Sequence, residues 1–291
     1  MTDLAARLAP TIGGQRRVFC CHSATLSGRF SPNSLQAVKE CVAAGVPRLE
    51  IDVQFLADDA MAIHHDPSFS AHAQGSVKLA ELARGAMDDF GHRGGERIAF
   101  LEDVVEAVAG SATLLQVDLK LSRPISPRRV ELLEETLRPL EGRLVVGSQA
   151  HWNLRRLRGV PVALDPTLHW AFAARPPGIP HSLGVHGLWD DSPIASNPRF
   201  NAYDYVHARV DDLLSLVPGT VEWMVDIGTI FTLAELGVAL GETLRERGVA
   251  LAAWTLRGSS TSPRETLMRL FELGVETVIT DIPELAAGAV L

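Results

Sequence analysis

Short apolar, β-branched runs alternate with longer amphipathic runs along most of the chain. Residues 17–22, 49–55, 113–120, 144–148, 160–164, 249–256 and 277–281 read as strands. Between them, residues 33–44, 101–109, 127–137, 151–157, 233–247 and 263–273 read as helices. The ends carry stop and start signals: Ser126 precedes Pro127 as an N-cap, and Gly45, Gly248 and Gly274 close three of the helices. Residues 61–65 form a short extended piece after the turn at 57–60. Strand alternating with helix predicts a parallel sheet. Its repetition over 291 residues favours a closed (β/α)8 TIM barrel over an open doubly wound sheet.

Two stretches depart from this rhythm. Residues 68–98 are polar and Gly-rich, and read as an insertion over the mouth of the barrel. Residues 166–230 are rich in Pro and Gly and hold three candidate strands, near 183–188, 205–208 and 221–225. A barrel needs only one or two there, so part of this stretch is loop. The expectation is one domain over residues 1–291, with insertions near 68–98 and 166–200.

The strand pattern places charge inside the barrel. Side chains alternate along a strand, so Leu49, Ile51, Val53 and Phe55 share the helix-facing side, and Glu50, Asp52 and Gln54 point inward. The run 113–120 repeats the arrangement with Leu115, Val117 and Leu119 against Gln116, Asp118 and Lys120. Carboxylates inside a barrel are unfavourable unless neutralised. A hard divalent cation, Mg2+ or Ca2+, is the simplest partner for the all-oxygen set Glu50, Asp52 and Asp118. A structural ion pair is the competing reading, and Lys120 serves it as a partner of Asp118. Two histidines, His22 and His65, end extended segments near the same rim, and histidine suits proton transfer near neutral pH. His64 faces away, and Asp66 orients a turn or His65. Trp254 reads equally as core or as site lining. His151, His169, His181, His186 and His207 lack ligand spacing and receive no chemistry.

Net charge narrows the partners. At −8 the chain is a poor match for a nucleic-acid backbone, although one phosphate needs only a cation or a few local basic groups. The three cysteines, Cys20, Cys21 and Cys41, show neither zinc spacing nor a disulfide framework. Residues 1–14 do not read as a signal peptide and no stretch reads as a transmembrane span, so the expected location is the cytoplasm.

The ordered set of motifs resembles the glycerophosphodiester phosphodiesterase family. It comprises His22, Ser31-Pro32-Asn33-Ser34, Glu50-Ile51-Asp52, His65-Asp66, Asp118-Leu119-Lys120, Trp254-Thr255 and Thr280-Asp281-Ile282-Pro283. The resemblance implies a metal-dependent phosphodiesterase acting on a small glycerophosphodiester or lysophospholipid-like molecule. It implies catalytic roles for His22 and His65, metal ligands at Glu50, Asp52 and Asp118, and a phosphate contact at Lys120. Three departures stand out. Ser23-Ala24 follow His22 where the family has Arg-Gly, Asp118 replaces the usual Glu, and Arg257 follows Trp254-Thr255-Leu256 where Asn is common. Arg257, or secondarily Arg29, is expected to replace the lost guanidinium. The Asp-x-Lys form resembles the sphingomyelinase D branch, which keeps a cyclic phosphate product open. A catalytically inactive phosphate-binding barrel stays open too. An amidohydrolase is disfavoured because its first-strand His-x-His is missing.

Overall fold

The computed structural model describes residues 2–71, 75–92, 95–166, 168, 201–258 and 262–291. Eight parallel strands close into a barrel: β1 (Val18–Cys21), β2 (Arg48–Phe55), β3 (Leu114–Leu119), β4 (Leu144–Ser148), β5 (Val162–Leu164), β6 (Thr220–Asp226), β7 (Ala250–Leu256) and β8 (Thr277–Thr280). Each pairs with the next in sequence, and β8 closes the ring on β1. This is the expected (β/α)8 barrel. The strand Met61–Ile63 adds antiparallel to the end of β2.

The helices form where the pattern places them. Leu35–Ala44 begins at Ser34, whose side chain accepts from Ala37 N, and ends at Gly45 with φ 69°. Pro127–Leu137 is capped by Ser126. Leu101–Ala109 buries Leu101, Val104, Val105 and Val108 on one side. A fully buried aliphatic side chain of this kind contributes about 1.5–3 kcal/mol.

Two expectations are corrected. Residues 205–208 are not a strand but lie within the helix Ala202–Leu216. Its start is fixed by the Asn201 side chain, which accepts from Asp204 N at 2.9 Å. Val206, Val210, Leu213 and Val217 recur three and four residues apart and are buried, which is a helical stripe. Residues 233–247 are not one helix but two ends of a broken pair, Ile227–Glu235 and Leu240–Arg245. Gly237 has φ 80°, a left-handed conformation that stops the first helix. The candidate strand at 183–188 and His169, His181 and His186 lie outside the described residues.

The barrel is layered. Leu49, Ile51, Val53, Leu115 and Val117 pack outward into the core shared with the helices. Cys20, Val145, Ala163, Met224, Ala252 and Ile279 fill the lumen. Gly147 makes room for one of them: a Cβ there would collide with Met224 Cε. Toward the strand N-termini, Arg48 is clasped by Glu222 and by Gln116 Oε1, the latter accepting at 2.7 Å and 3.0 Å. All three are buried. Beside the C-terminal rim, the antiparallel hairpin Ser68–Ala71 and Gly75–Lys78 rests on a small cluster that includes Leu56, Phe69, Leu79 and Met87. No helix among the described residues is long and apolar enough to cross a membrane.

Candidate active site

Sheet register brings the carboxylates together. Asp52 on β2 lies directly across from Asp118 on β3, and Glu50 sits one inward position below Asp52. Ligand oxygens of Glu50, Asp52 and Asp118 lie within 4.8 Å of one another. Glu50 and Asp52 are 3% and 1% exposed, so water does little to screen their repulsion. Burial, reinforced by the charge on Asp52, pushes the Glu50 carboxyl up to about 8. Burial also raises Asp118, against the pull of Lys120. Asp52 behaves differently. Burial opposes its charge, but Lys120 and a hydrogen bond from Asn33 hold its carboxyl below the usual range.

Local backbone geometry supports the cluster. The turn after β1 puts Ser23 and Ala24 at φ 47° and 55°. This aims Ser23 N at Glu50 Oε2 (2.7 Å) and Ser23 Oγ at Asp52 Oδ2 (3.2 Å). Asn33 Nδ2 donates to Asp52 Oδ2 at 2.7 Å, and Asn33 Oδ1 accepts from Asp52 N at 3.0 Å. Lys120 Nζ donates to Asp118 Oδ2 at 2.7 Å and lies 3.0 Å from Asp52 Oδ1. That Asp52 oxygen has no partner in hydrogen-bond geometry. A converging set of hard oxygen donors, and a Glu50 carboxyl whose charge is disfavoured by burial and by Asp52, are what a divalent cation would satisfy. The residues present fit such an ion.

Both predicted histidines line the cavity above this cluster, with Glu50, Asp118, Lys120 and Arg257. His22 Nδ1 donates to Asp281 Oδ1 at 2.6 Å. Burial opposes protonation of His22, but its hydrogen bond with Asp281 and the acidic groups around it raise its pKa above the ordinary value. His65 Nδ1 donates to Asp66 Oδ1 at 2.8 Å, so Asp66 orients His65. In each ring one nitrogen is engaged by a carboxylate, which leaves Nε2 for the cavity side. Gln54, the outermost inward residue of β2, holds the His65 segment. Its Nε2 lies 3.2, 3.0 and 2.6 Å from the carbonyls of His64, His65 and Asp66. His64 packs on Phe69, with ring centroids 4.4 Å apart.

Arg257 stands at the rim, two-thirds exposed, with Nε 4.0 Å from Asp281 Oδ2. Arg29 instead stacks its guanidinium 5.1 Å over Phe30. Trp254 is part lining and part anchor: its Nε1 donates to Asp165 Oδ1 and to Met224 O, both at 3.2 Å.

Two carboxylates at the mouth received no role from the sequence. Asp281 immediately follows β8, and Asp165 immediately follows β5. The C-terminal end of a barrel strand is where such enzymes keep their chemistry, and that signal was available for both. Burial, with the nearby charge of Asp118, pushes the Asp165 carboxyl up to about 7.

Comparison with known proteins agrees with this geometry. The sequence model of the glycerophosphoryl diester phosphodiesterase family matches residues 25–285. A glycerophosphodiester phosphodiesterase of Caldanaerobacter subterraneus subsp. tengcongensis is 24% identical over 261 residues, covering 87% of this chain and 89% of the relative. The crystal structure of a glycerophosphodiester phosphodiesterase from Parabacteroides distasonis superposes with a TM-score of 0.64 at 15% identity, over 93% of this chain and 94% of that one. An Oleispira antarctica phosphodiesterase in complex with the product sn-glycerol-3-phosphate matches with a TM-score of 0.59 at 15% identity, over 98% of both chains. The solved structures share the fold, the family match spans nearly the whole chain, and the chain therefore belongs to the glycerophosphoryl diester phosphodiesterase family, a family of phosphoric diester hydrolases.

Proposed function

We propose that this chain, acting as one domain, is a divalent-metal-dependent hydrolase of glycerophosphodiesters that uses His22 and His65 for proton transfer. One observation carries the reading: two buried carboxylates and one half-buried one converge within 4.8 Å in a cavity that two carboxylate-oriented histidines also line.

Glu50, Asp52 and Asp118 would hold the ion, and their all-oxygen set suits Mg2+ or Ca2+. Bound there, the cation supplies charge to offset the negative charge that grows on the phosphoryl oxygens. Lys120 and Arg257 add positive charge from the two sides of the cavity that they line. His22, held by Asp281 and made more basic by it, takes the proton from the attacking hydroxyl or water. His65, held by Asp66, returns a proton to the departing alkoxide. Each transfer of this kind contributes about 10²–10⁴-fold. Ser23 and Asn33 act on the carboxylates, fixing which oxygens face the ion.

The test uses the full chain, stripped with EDTA and resupplied with Mg2+ or Ca2+, on glycerophosphocholine, followed by phosphorus NMR. Glycerol phosphate is expected only when a metal is present. A folded protein that turns over no diester with either metal would be a binding barrel instead. A persistent cyclic phosphate would make the reaction an internal transphosphorylation.

A further inference from the structure

The catalytic cavity does not end at the cation cluster. A second lobe of about 440 Å³ opens from it over the ends of β3, β4 and β5. The two share His65, Asp118, Lys120, Gln149 and Asp165 as a common wall. His22 lines the inner cavity and not this lobe. We infer that the lobe receives the alcohol half of the diester and selects alcohols that carry an ammonium group. This rests on the phosphodiesterase reading above and specifies its substrate class.

Direction comes from the histidines. The alcohol leaves beside the group that protonates it. His65, in that role, borders the lobe, whereas His22 serves the opposite end of the reaction.

Chemistry comes from the walls. Asp118 and Lys120 neutralise one another at the threshold through their 2.7 Å contact. Beyond them, among the described residues, the lining includes Leu121, Ser122, Gln149 and Trp152, and its ionisable side chains are His65 and Asp165. Asp165 is fixed in place. Its backbone N donates to Ser148 O at 3.1 Å, and its Oδ1 accepts from the Trp254 indole at 3.2 Å. Among the described residues no lysine or arginine forms an ion pair with it. A carboxylate held by neutral donors, in a lobe with an aromatic wall, recognises a cation. The carboxylate supplies the charge, and an indole face attracts an alkylammonium. A neutral alcohol would give the Asp165 carboxyl no cation to pair with, so the ionised form would gain nothing from its presence.

The probes are glycerophosphocholine and glycerophosphoethanolamine against glycerophosphoglycerol, on the metal-supplied full chain. The expected preference in kcat/KM for the ammonium substrates is about tenfold, the scale of one partly desolvated cation contact. Free choline should compete for the site, and 3,3-dimethyl-1-butanol, its uncharged isostere, should not. In Asp165→Asn the substrate preference should fall to within about threefold of unity. Trp152→Ala should weaken the choline substrate more than the ethanolamine one, because the trimethylammonium group depends on the aromatic wall and the primary ammonium on the carboxylate. Equal turnover of charged and neutral diesters, or equal inhibition by choline and its isostere, overturns the inference while leaving the phosphodiesterase reading intact. The inhibition pair needs no variant, so a poorly folded Asp165→Asn does not block the test. If no diester is cleaved with any metal, the underlying reading fails, and the inference with it.

Discussion

Glu50→Gln should stabilise the metal-free protein at neutral pH and weaken its grip on a cation. Glu50 is 3% exposed beside Asp52, and burial with that neighbouring charge pushes its carboxyl up to about 8. In an unfolded chain a glutamate titrates near 4.3–4.5, at about 1.4 kcal/mol per unit of difference. Because the folded value is the higher one, the folded protein holds this proton more tightly than the unfolded chain does. Stability is therefore complete below about pH 4.5 and is lost as pH rises towards about 8. At pH 7 the metal-free protein carries a penalty of about 3 kcal/mol, against about 1 kcal/mol at pH 5. Glutamine keeps the size and an oxygen to accept from Ser23 N, and removes the charge. In EDTA the variant should melt about 6 °C above the parent at pH 7, and within about 2 °C of it at pH 5. With Mg2+ or Ca2+ the order should reverse, because the parent gains binding energy that the variant has lost. The assay is thermal melting at both pH values, with chelator and with metal. If Glu50→Gln lowers the melting temperature at pH 7 as much as at pH 5, the carboxylate is ionised and stable without a cation. The cluster then needs no metal ion.

Asp281→Asn removes the charge that raises His22, so the acid limb of the kcat/KM–pH profile should move to lower pH while the plateau falls. A charge-assisted hydrogen bond of about 1.5–3 kcal/mol sets that fall at about 10- to 100-fold. An unmoved limb would show that His22 is not the base. Arg257→Ala should raise KM about fivefold with little change in kcat, a modest effect because the side chain is largely in solvent. Steady-state kinetics with both constants unchanged would remove Arg257 from phosphate binding. Glu222→Ala strands the buried Arg48 guanidinium and should destabilise the fold by about 3–5 kcal/mol in urea melts. A loss below about 1 kcal/mol would mean that Gln116 alone satisfies Arg48.

The barrel was legible because its strands carry strict alternation and its helices carry local caps. Glu50, Asp52 and Asp118 were legible for the same reason: a carboxylate on the inward phase of an apolar strand stands out. What the sequence hid depends on contacts between distant residues. Asp281 meets His22 from 259 residues away, and nothing local to either announces the pairing. Asp165 follows a strand of three residues, too short for its phase to be read. The loss of the expected arginine after His22 drew attention to Arg257, yet the Ser23 that stands there binds two of the carboxylates itself. Residues 205–208 misled because Tyr205 and Val206 favour strands in isolation. Their neighbours three and four positions on decide for a helix. Gly237 was passed over inside an amphipathic run, where only a left-handed φ shows that it is a stop.

The in-register pairing of Asp52 with Asp118 gives the carboxylate cluster an unusual independence from the rim. Adjacent strands lie about 4.8 Å apart whatever their sequence, so the sheet itself acts as the ruler between these two oxygens. His22 and His65 sit instead where strands give way to connecting segments. Lengthening or exchanging a rim segment would thus re-aim the two imidazoles and reshape the neighbouring cavity while the carboxylate spacing stayed constant. The mouth of such a barrel can change shape quickly, and the spacing of its inner carboxylates only slowly.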